Sequence, residues 1–221
     1  MSNLLAIQDA DGRPLVGQGY DNTTHQFTVP QTAPAVNDPV TQTPYAPLLD
    51  VPVDGYKASY SAAINGLVTV ASATDIFTLT GSATKTIRIL HVEVSGIATT
   101  AIDTTVRTLV RTTADTGGTS TAPVAVPHDQ TNAAATAAVA AYTANPTVND
   151  GTNRIIRAEK VLFNLVAPAA GSESGRLMLD FGVRPSQAIV LRGVAQQFAI
   201  NLAGVTIAGP SVDISIEWTE E

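Results

Sequence analysis

Only three histidines, His25, His91 and His128, are available as general bases, and the chain has no cysteine. His91 stands two residues before Glu93, so in an extended strand both side chains lie on one face, where the carboxylate would orient the imidazole. A packed or interface histidine beside a solvated carboxylate has the same spacing and is far commoner. We favour that second interpretation.

Two acidic turns complete the set of candidate ligands. Asp9 and Asp11 precede Gly12 as at the start of a calcium loop, but the later ligands that such a loop requires are missing. The His128-Asp129 pair is predicted to form a turn in which Asp129 accepts hydrogen bonds from nearby backbone amides. The chain also has no glycine-rich phosphate loop, nucleophile elbow or cysteine metal motif. We therefore predict no metal, no cofactor and no enzymatic activity.

Arg107 and Arg111 share a strand face with Leu109, and this face is predicted to contact a partner subunit. A ligand groove and plain solvent exposure are the alternatives. A sugar site would need exposed aromatic side chains, whereas most aromatic residues of the second region lie on runs that resemble buried strands. These aromatic residues are Tyr56, Tyr60, Phe77, Tyr142, Phe163, Phe181, Phe198 and Trp218.

Composition narrows the class of protein. The net charge of −7 disfavours nucleic acid as a partner, since nucleic-acid binding depends on clustered Lys and Arg. No basic start followed by an apolar run and no stretch of about 20 apolar residues is present, so we expect neither export nor membrane insertion. Hydrophobic residues make up 44% of the chain and charged residues only 14%, with abundant Thr, Ala and Val, which favours strands over surface helices. The lack of cysteine fits synthesis in a reducing cytoplasm.

Residues 1–55 are predicted to form an extended, proline-rich N-terminal arm. Seven of the 13 prolines lie here, and they recur every three to five residues between Pro30 and Pro52, which removes backbone donors and favours extended conformations. A fully extended arm of this length would reach on the order of 150 Å. Spaced apolar residues distinguish it from a flexible linker, and we predict that these bind a partner: Tyr20, Phe27, Val29, Tyr45, Leu48 and Leu49.

Residues 56–221 are predicted to form one all-β domain, an antiparallel, jelly-roll-like β-sandwich. The repeated Ser-Ala-Thr at 72–74 and 82–84 brackets a strand and predicts an antiparallel meander. Thr86–Ser95 is expected to be a central strand with Ile87 and Ile89 on one face and Leu90, Val92 and Val94 on the other. Asn132 or Thr131 would cap one or two helical turns. The predicted strands are Ala58–Ala63, Leu67–Ala71, Asp75–Thr80, Thr86–Ser95, Thr104–Thr112, Ala138–Thr143, Ile155–Val166, Arg176–Phe181, Ala188–Leu191, Phe198–Leu202 and Val212–Trp218.

Several phrases of this second region resemble uncharacterised virion proteins of tailed bacteriophages and prophages. They are ASATDIFTLTG at 71–81, APVAVPHD at 122–129, AYTANP at 141–146 and IEWTE at 216–220. The resemblance covers about residues 56–221 and carries no catalytic motif. It implies a virion component that is made in the bacterial host cytoplasm and forms homo-oligomers, often trimers.

Two structural roles follow as hypotheses. In the first, the chain is a capsid decoration or cement protein whose arm binds neighbouring subunits such as the major capsid protein. In the second, it is a tail, baseplate or fibre component with a trimeric β domain that binds other virion proteins or a host receptor. A glycan-active enzyme is the third alternative and the least favoured.

Overall fold

A computed structural model describes residues 57–150, 154–165, 174–182, 187–209 and 211–221, and the backbone of four short strands between residues 19 and 45. The chain divides into two compact units, 1–54 and 55–221. These described residues contain strands and turns but no helix, and so no helix able to span a membrane. The predicted all-β class is confirmed.

The first unit contains two local strand pairs. β1 (Gly19–Asp21) pairs antiparallel with β2 (Gln26–Thr28), and β3 (Val36–Asn37) pairs antiparallel with β4 (Pro44–Tyr45). Both ladders join strands that are close in sequence.

The second unit is built around one twelve-stranded sheet, which curls into a half-barrel. Its main path runs β10-β5-β16-β7-β12-β8-β15-β6-β11-β9, and β13 and β14 also pair with β7. The strands are β5 (Ala58–Leu67), β6 (Ala73–Thr80), β7 (Thr86–Ala98), β8 (Ile102–Arg111), β9 (Thr119–Thr121), β10 (Val126–Pro127), β11 (Ala138–Ala144), β12 (Ile155–Leu165), β13 (Leu177–Asp180), β14 (Ile189–Arg192), β15 (Gln197–Val205) and β16 (Ser211–Glu220). Of the predicted strands, Leu67–Ala71 is wrong, because it falls mainly in the β5–β6 connection.

Strands that are consecutive in sequence alternate between two halves of this sheet. β5 and β7 belong to the half that contains β16, whereas β6 and β8 belong to the half that contains β15. β6 pairs with β15 and β11, not with β5 or β7. The predicted meander is therefore wrong, because turn residues at both ends of a strand do not determine which strand it pairs with.

β7 is a central strand, as predicted. β16 pairs along one edge, while β14, β13 and the end of β12 follow one another along the other edge. The ladder with β16 contains a bulge, since Trp218 lies opposite Ile89 and Glu217 opposite His91, which leaves Leu90 without a partner residue.

This bulge changes which side chains of β7 reach the core. Ile87, Ile89, Val92 and Val94 are all fully buried in the same hydrophobic cluster. The predicted division of these residues between two faces is wrong, because one extra residue in a strand reverses the alternation beyond it.

Both halves of the sheet contribute to one hydrophobic core. Trp218 is fully buried and stacks on Tyr60 of β5, with ring centroids 5.9 Å apart. Phe77 of β6 and Phe198 of β15 enter the same cluster from the other half. In β16, Val212, Ile214, Ile216 and Trp218 are buried and the residues between them are partly exposed, which confirms the predicted alternation.

The connection between β10 and β11 contains a turn instead of the predicted helix. Asp129 accepts hydrogen bonds from the Thr131 amide at 2.9 Å and from the Asn132 amide through its main-chain carbonyl at 3.0 Å, which confirms the predicted acidic turn. Downstream, Tyr60 donates to the Ala133 carbonyl and Glu220 accepts from the Thr136 amide. These long-range bonds hold the alanine-rich segment extended, so its helix propensity is overridden.

Candidate functional site

Arg111, at the end of β8, is buried in the domain. Its side chain is 1% exposed and its Nε and Nη2 atoms lie 2.7 and 2.6 Å from Oδ2 of Asp75, whose side chain is 0% exposed. Asn201 of β15 donates to the other oxygen of Asp75. A bulge makes this meeting possible, because Phe77 lies opposite Ile200 while Asp75 lies opposite Asn201, so β6 has one extra residue there.

A second carboxylate, Asp115, completes this buried ion cluster of Asp75, Arg111 and Asp115. Its Oδ1 is 3.5 Å from Arg111 Nε, and neither of its oxygens has a hydrogen-bond partner among the described residues. Burial and the adjacent Asp75 carboxylate raise the pKa of Asp115 to about 7, although the Arg111 charge opposes them. One guanidinium balances one carboxylate, so Asp115 holds a proton more readily than a solvated aspartate does.

Polar contacts connect this cluster to the segments that cover it. Arg111 Nη1 lies 3.4 Å from the Asp150 carbonyl oxygen, and Thr112 donates to the Asp150 carboxylate through its amide and its hydroxyl. The Asp115 amide donates to Gln197. With the Asp75 and Arg111 side chains sealed from solvent, the cluster has no room for a substrate, and its evident effect is to hold β6, β8 and the segment around Asp150 together.

The two predicted contact arginines therefore differ in environment. Arg111 is inside the domain, so its guanidinium is not available at the surface, and the interpretation of a partner contact does not hold for it. Arg107 is partly exposed, and its predicted role stays a prediction. Alternation placed both residues on one face, but it could not show that Asp115 and Asp150 lie against the Arg111 end.

His91 and Glu93 lie on the outer side of β7, each with a partner different from the one expected. His91 Nδ1 is 2.7 Å from Asp180 Oδ1, and Glu93 accepts from Arg176 at 2.7 Å. The carboxylate next to His91 in space is thus Asp180, because β13 pairs with β7 at this register. No described serine or threonine is hydrogen-bonded to His91, so the pair has no nucleophile to activate.

β12 has many exposed residues along its length. Between Ile155 and Phe163 it pairs with β8 on one side only, and within the described residues no strand pairs on the other side. Its aliphatic residues Ile155, Ile156, Leu162 and Leu165 are 39–42% exposed. They account for four of the ten large exposed hydrophobic residues of the described region, so exposed apolar surface is concentrated here.

The arm residues predicted to bind a partner are only partly described. Tyr20 of β1 lies opposite Phe27 of β2, and Tyr45 of β4 lies opposite Val36 of β3. The remaining three, Val29, Leu48 and Leu49, fall outside the described residues, as do His25, Asp9 and Asp11. The aromatic residues of the domain are buried, as expected from their runs, except for Phe181, which is partly exposed, and Tyr56, which is not described.

Sequence reasoning missed the buried carboxylates and the open edge. Asp75 lies 36 residues from Arg111 in sequence, so only the tertiary structure brings these two residues together. Asp115 lies just four residues from Arg111. A weak signal for the edge was present in Ile155-Ile156-Arg157-Ala158-Glu159-Lys160, where aliphatic and charged residues do not alternate as in a half-buried strand.

Nearly all carboxylates of the described region pair with a cation or accept a hydrogen bond, and its histidines lie apart from one another. No group of three or more such residues there is placed to hold a metal ion. Two features distinguish the surface of the described domain. They are the His91–Asp180 and Arg176–Glu93 pairs on the outer side of β7 and the exposed edge of β12. No family model, curated protein or solved structure matches the chain.

Proposed function

We propose that this chain is a structural protein of a tailed-phage virion, and specifically a capsid decoration or cement subunit. Its N-terminal unit binds neighbouring subunits, with the major capsid protein or other virion proteins as partners. The protein acts in the virion after synthesis in the bacterial host cytoplasm. It forms homo-oligomers, with a trimer as the favoured state, and is not an enzyme.

The observation that carries this proposal is the division of the chain into two compact units at Asp54 and Gly55. The second unit has a hydrophobic core in which side chains from both halves of the sheet interlock. We assign the first unit to contacts with other molecules, because a segment that becomes ordered on binding can contribute much contact area per residue.

The placement of the predicted arm residues supports the same role. Tyr20 and Phe27 are cross-strand partners, and Tyr45 is the partner of Val36. Directly opposed residues in antiparallel pairs lie about 5 Å apart, so each ladder collects two apolar residues at one place. Two such pairs would provide discrete anchors for a neighbouring subunit.

A jelly-roll-like sandwich is the finer architecture that we propose for the domain. Its support is the alternation of β5, β6, β7 and β8 between the two halves of the sheet and the contribution of both halves to one core. Sandwich domains of this kind suit a shell component because they present wide, rigid faces.

The charged groups of the domain support a role without catalysis. The buried ion cluster is closed to substrate, while the His91–Asp180 pair lacks a hydroxyl or thiol partner in the described region. Both arrangements stabilise the sheet or its surface.

The test is to locate and count the protein in purified virions of the phage or prophage that encodes it. We expect hundreds of copies on the head, measured by quantitative mass spectrometry and by cryo-electron microscopy. A dozen or fewer copies on the tail would instead support the tail, baseplate or fibre role and the receptor that it implies. Absence from virions would overturn both roles.

The arm is tested in the full-length chain. The double variant Tyr20→Ala, Phe27→Ala should reduce the amount of protein that copurifies with particles, whereas Gln26→Ala on the same β2 strand should not. Equal incorporation of both variants would contradict the role assigned to the arm.

A further inference from the structure

The free edge of β12 carries charges that would be complementary to those of a second copy of the same edge. Gly175 donates its amide to the Leu162 carbonyl at 2.6 Å, and Ser174 Oγ lies 3.1 Å from the Asn164 amide, so the far end of β12 is occupied by the segment before β13. Space for this approach exists because residue 175 is glycine, since a Cβ there would lie 2.9 Å from the Leu162 nitrogen. The free part of the edge therefore runs from Ile155 to Val161, and it contains a bulge at Ile156.

The same hydrogen bonds indicate which backbone groups are free. Leu162 directs its carbonyl away from β8, and the groups of alternate residues in an antiparallel strand point the same way. Lys160 and Ala158 therefore direct their N–H and C=O groups outward. No strand of the described region accepts or donates there.

Among the four symmetrical registers centred on a residue from Arg157 to Lys160, charge favours one. A two-fold axis at Ala158 places Arg157 opposite Glu159 of the second copy, and Glu159 opposite its Arg157. An axis at Arg157, Glu159 or Lys160 would place each of those charges opposite itself, which is unfavourable.

We propose that β12 pairs antiparallel with β12 of a second copy of this chain, about a two-fold axis at Ala158. The two opposed alanines would exchange a pair of N–H···O bonds, and two Arg157–Glu159 pairs would flank them. Within one chain Arg157 Nη1 already lies 3.1 Å from Glu159 Oε1, with side chains 59% and 42% exposed, so pairing would join four charges into one alternating group. The contact is isologous, as most dimer contacts are.

This inference goes beyond the virion role, because it names the surface and the symmetry of a contact between copies. A two-fold contact does not build the three-fold trimer, so it would join two such oligomers. Charged residues and bulges also serve to protect sheet edges from pairing. The order of the charges distinguishes an edge that is protected from pairing from an edge that pairs. Protection of an edge requires only like charges or lysine, whereas Arg and Glu on either side of a neutral residue attract a second copy.

Charge exchange tests the proposal on the purified full-length chain. Arg157→Glu gives Glu at both positions and Glu159→Arg gives Arg at both, so each variant alone should dissociate more readily than the natural chain, by about tenfold in Kd. An equimolar mixture of the two should associate again, because every opposed pair in the heterodimer is then of opposite charge. Sedimentation at low salt measures all three, and circular dichroism checks that each variant is folded.

A cysteine provides a second, covalent test, because the chain has none. Hydrogen-bonded antiparallel residues have Cα atoms about 5.5 Å apart, which is within the range of a disulfide. Under mild oxidation Ala158→Cys should form a covalent dimer, which can only join two β12 strands. Ala63→Cys, an exposed alanine of β5, is the matched control and should remain mostly monomeric.

Three outcomes would overturn the proposal: no covalent dimer from Ala158→Cys, equal yields from both cysteine variants, or no recovery of association in the mixture. Failure of recovery together with charge-sensitive association would indicate that a different segment, such as the arm of a neighbour, occupies the edge. These measurements need no particle, so their failure is distinguishable from failure to find the protein in virions.

Discussion

Arg111 and Arg157 lie on strands that are hydrogen-bonded to each other, β8 and β12, yet their surroundings are opposite. Arg111 is 1% exposed and paired with a carboxylate that is equally buried, whereas Arg157 is 59% exposed and paired with Glu159 two residues away. The first pair joins strands that are distant in sequence, and the second joins neighbours on one strand.

Because both pairs join an arginine to a carboxylate, burial should set the difference between their contributions. Removing one partner of a buried pair leaves an unpaired charge in the interior, which is strongly destabilising. An exposed pair contributes little to stability because water and salt screen it. The interior pair therefore belongs to the fold, while the exposed pair is available for association.

The largest effect should come from breaking the buried pair. Arg111→Met removes the guanidinium that pairs with Asp75 and leaves two carboxylates in the interior, so the free energy of unfolding should fall by about 4 kcal/mol. Denaturant unfolding measures this. A decrease below about 1 kcal/mol would show that the cluster does not hold the strands together.

Glu220 is a buried carboxylate that is held by hydrogen bonds instead of a cation, and it can be compared with the partly exposed Glu217 on the same strand. Glu220 is 3% exposed and accepts hydrogen bonds from the Thr136 amide and hydroxyl, the Ala137 amide and Trp218 Nε1. Glu220→Ala leaves these donors unsatisfied and should cost about 3 kcal/mol, against less than about 0.5 kcal/mol for the partly exposed Glu217→Ala. Equal losses in chemical denaturation would contradict this account.

The same carboxylate predicts acid sensitivity. Burial raises the pKa of Glu220, but the bonds from Thr136, Ala137 and Trp218 together outweigh burial and hold it below the usual value of 4.5. Its contribution is therefore present above pH 4.5 and is lost as the pH falls through the folded-state pKa. The unfolding temperatures of the natural chain and of Glu220→Gln should therefore become similar at low pH.

Asp115 should act with the opposite sign. Its pKa is 3.8 in an unfolded chain and about 7 in the folded domain, so between these values the folded state binds a proton that the unfolded state has released. Stability therefore falls as the pH rises through this range. Asp115→Asn should remove that slope and be more stable than the natural chain at pH 8, by roughly 1–2 kcal/mol. If the dependence of stability on pH, measured by thermal unfolding, is unchanged in the variant, another group is responsible for it.

The smallest effect should come from the exposed pair. Arg157→Met should change the stability of the dilute monomer by less than about 0.5 kcal/mol, since the lost interaction is screened by water. Thermal unfolding at low protein concentration measures it beside Arg111→Met. A loss similar to that of Arg111→Met would remove the distinction between the two arginines.

Several features were predictable because they depend on local chemistry. Alternation in Val212–Trp218 identified a half-buried strand, and Pro127-His-Asp identified a turn in which Asp129 accepts from the following amides. The aromatic runs identified buried strands. In each case the side chain or backbone group acts within a few residues, so spacing along the chain is sufficient.

Other features were not predictable because an extra residue or a distant strand decides them. The bulge at Leu90 reversed the alternation in β7, and the bulge in β6 turned Asp75 towards Asn201 and Arg111. Nothing in the two Ser-Ala-Thr repeats could show that β15 and β11, and not β5 or β7, pair with β6.

By itself the sequence determined the all-β class, the central position of β7 and the buried face of β16, since propensity and alternation act locally. Only the tertiary structure decided that Arg111 is interior while Arg157 is exposed, that His91 meets Asp180, and that part of the β12 edge pairs with no strand of the described residues. These depend on which strands pair and on what covers each end of a strand, and such pairing is set by long-range packing that the order of residues in one strand does not contain.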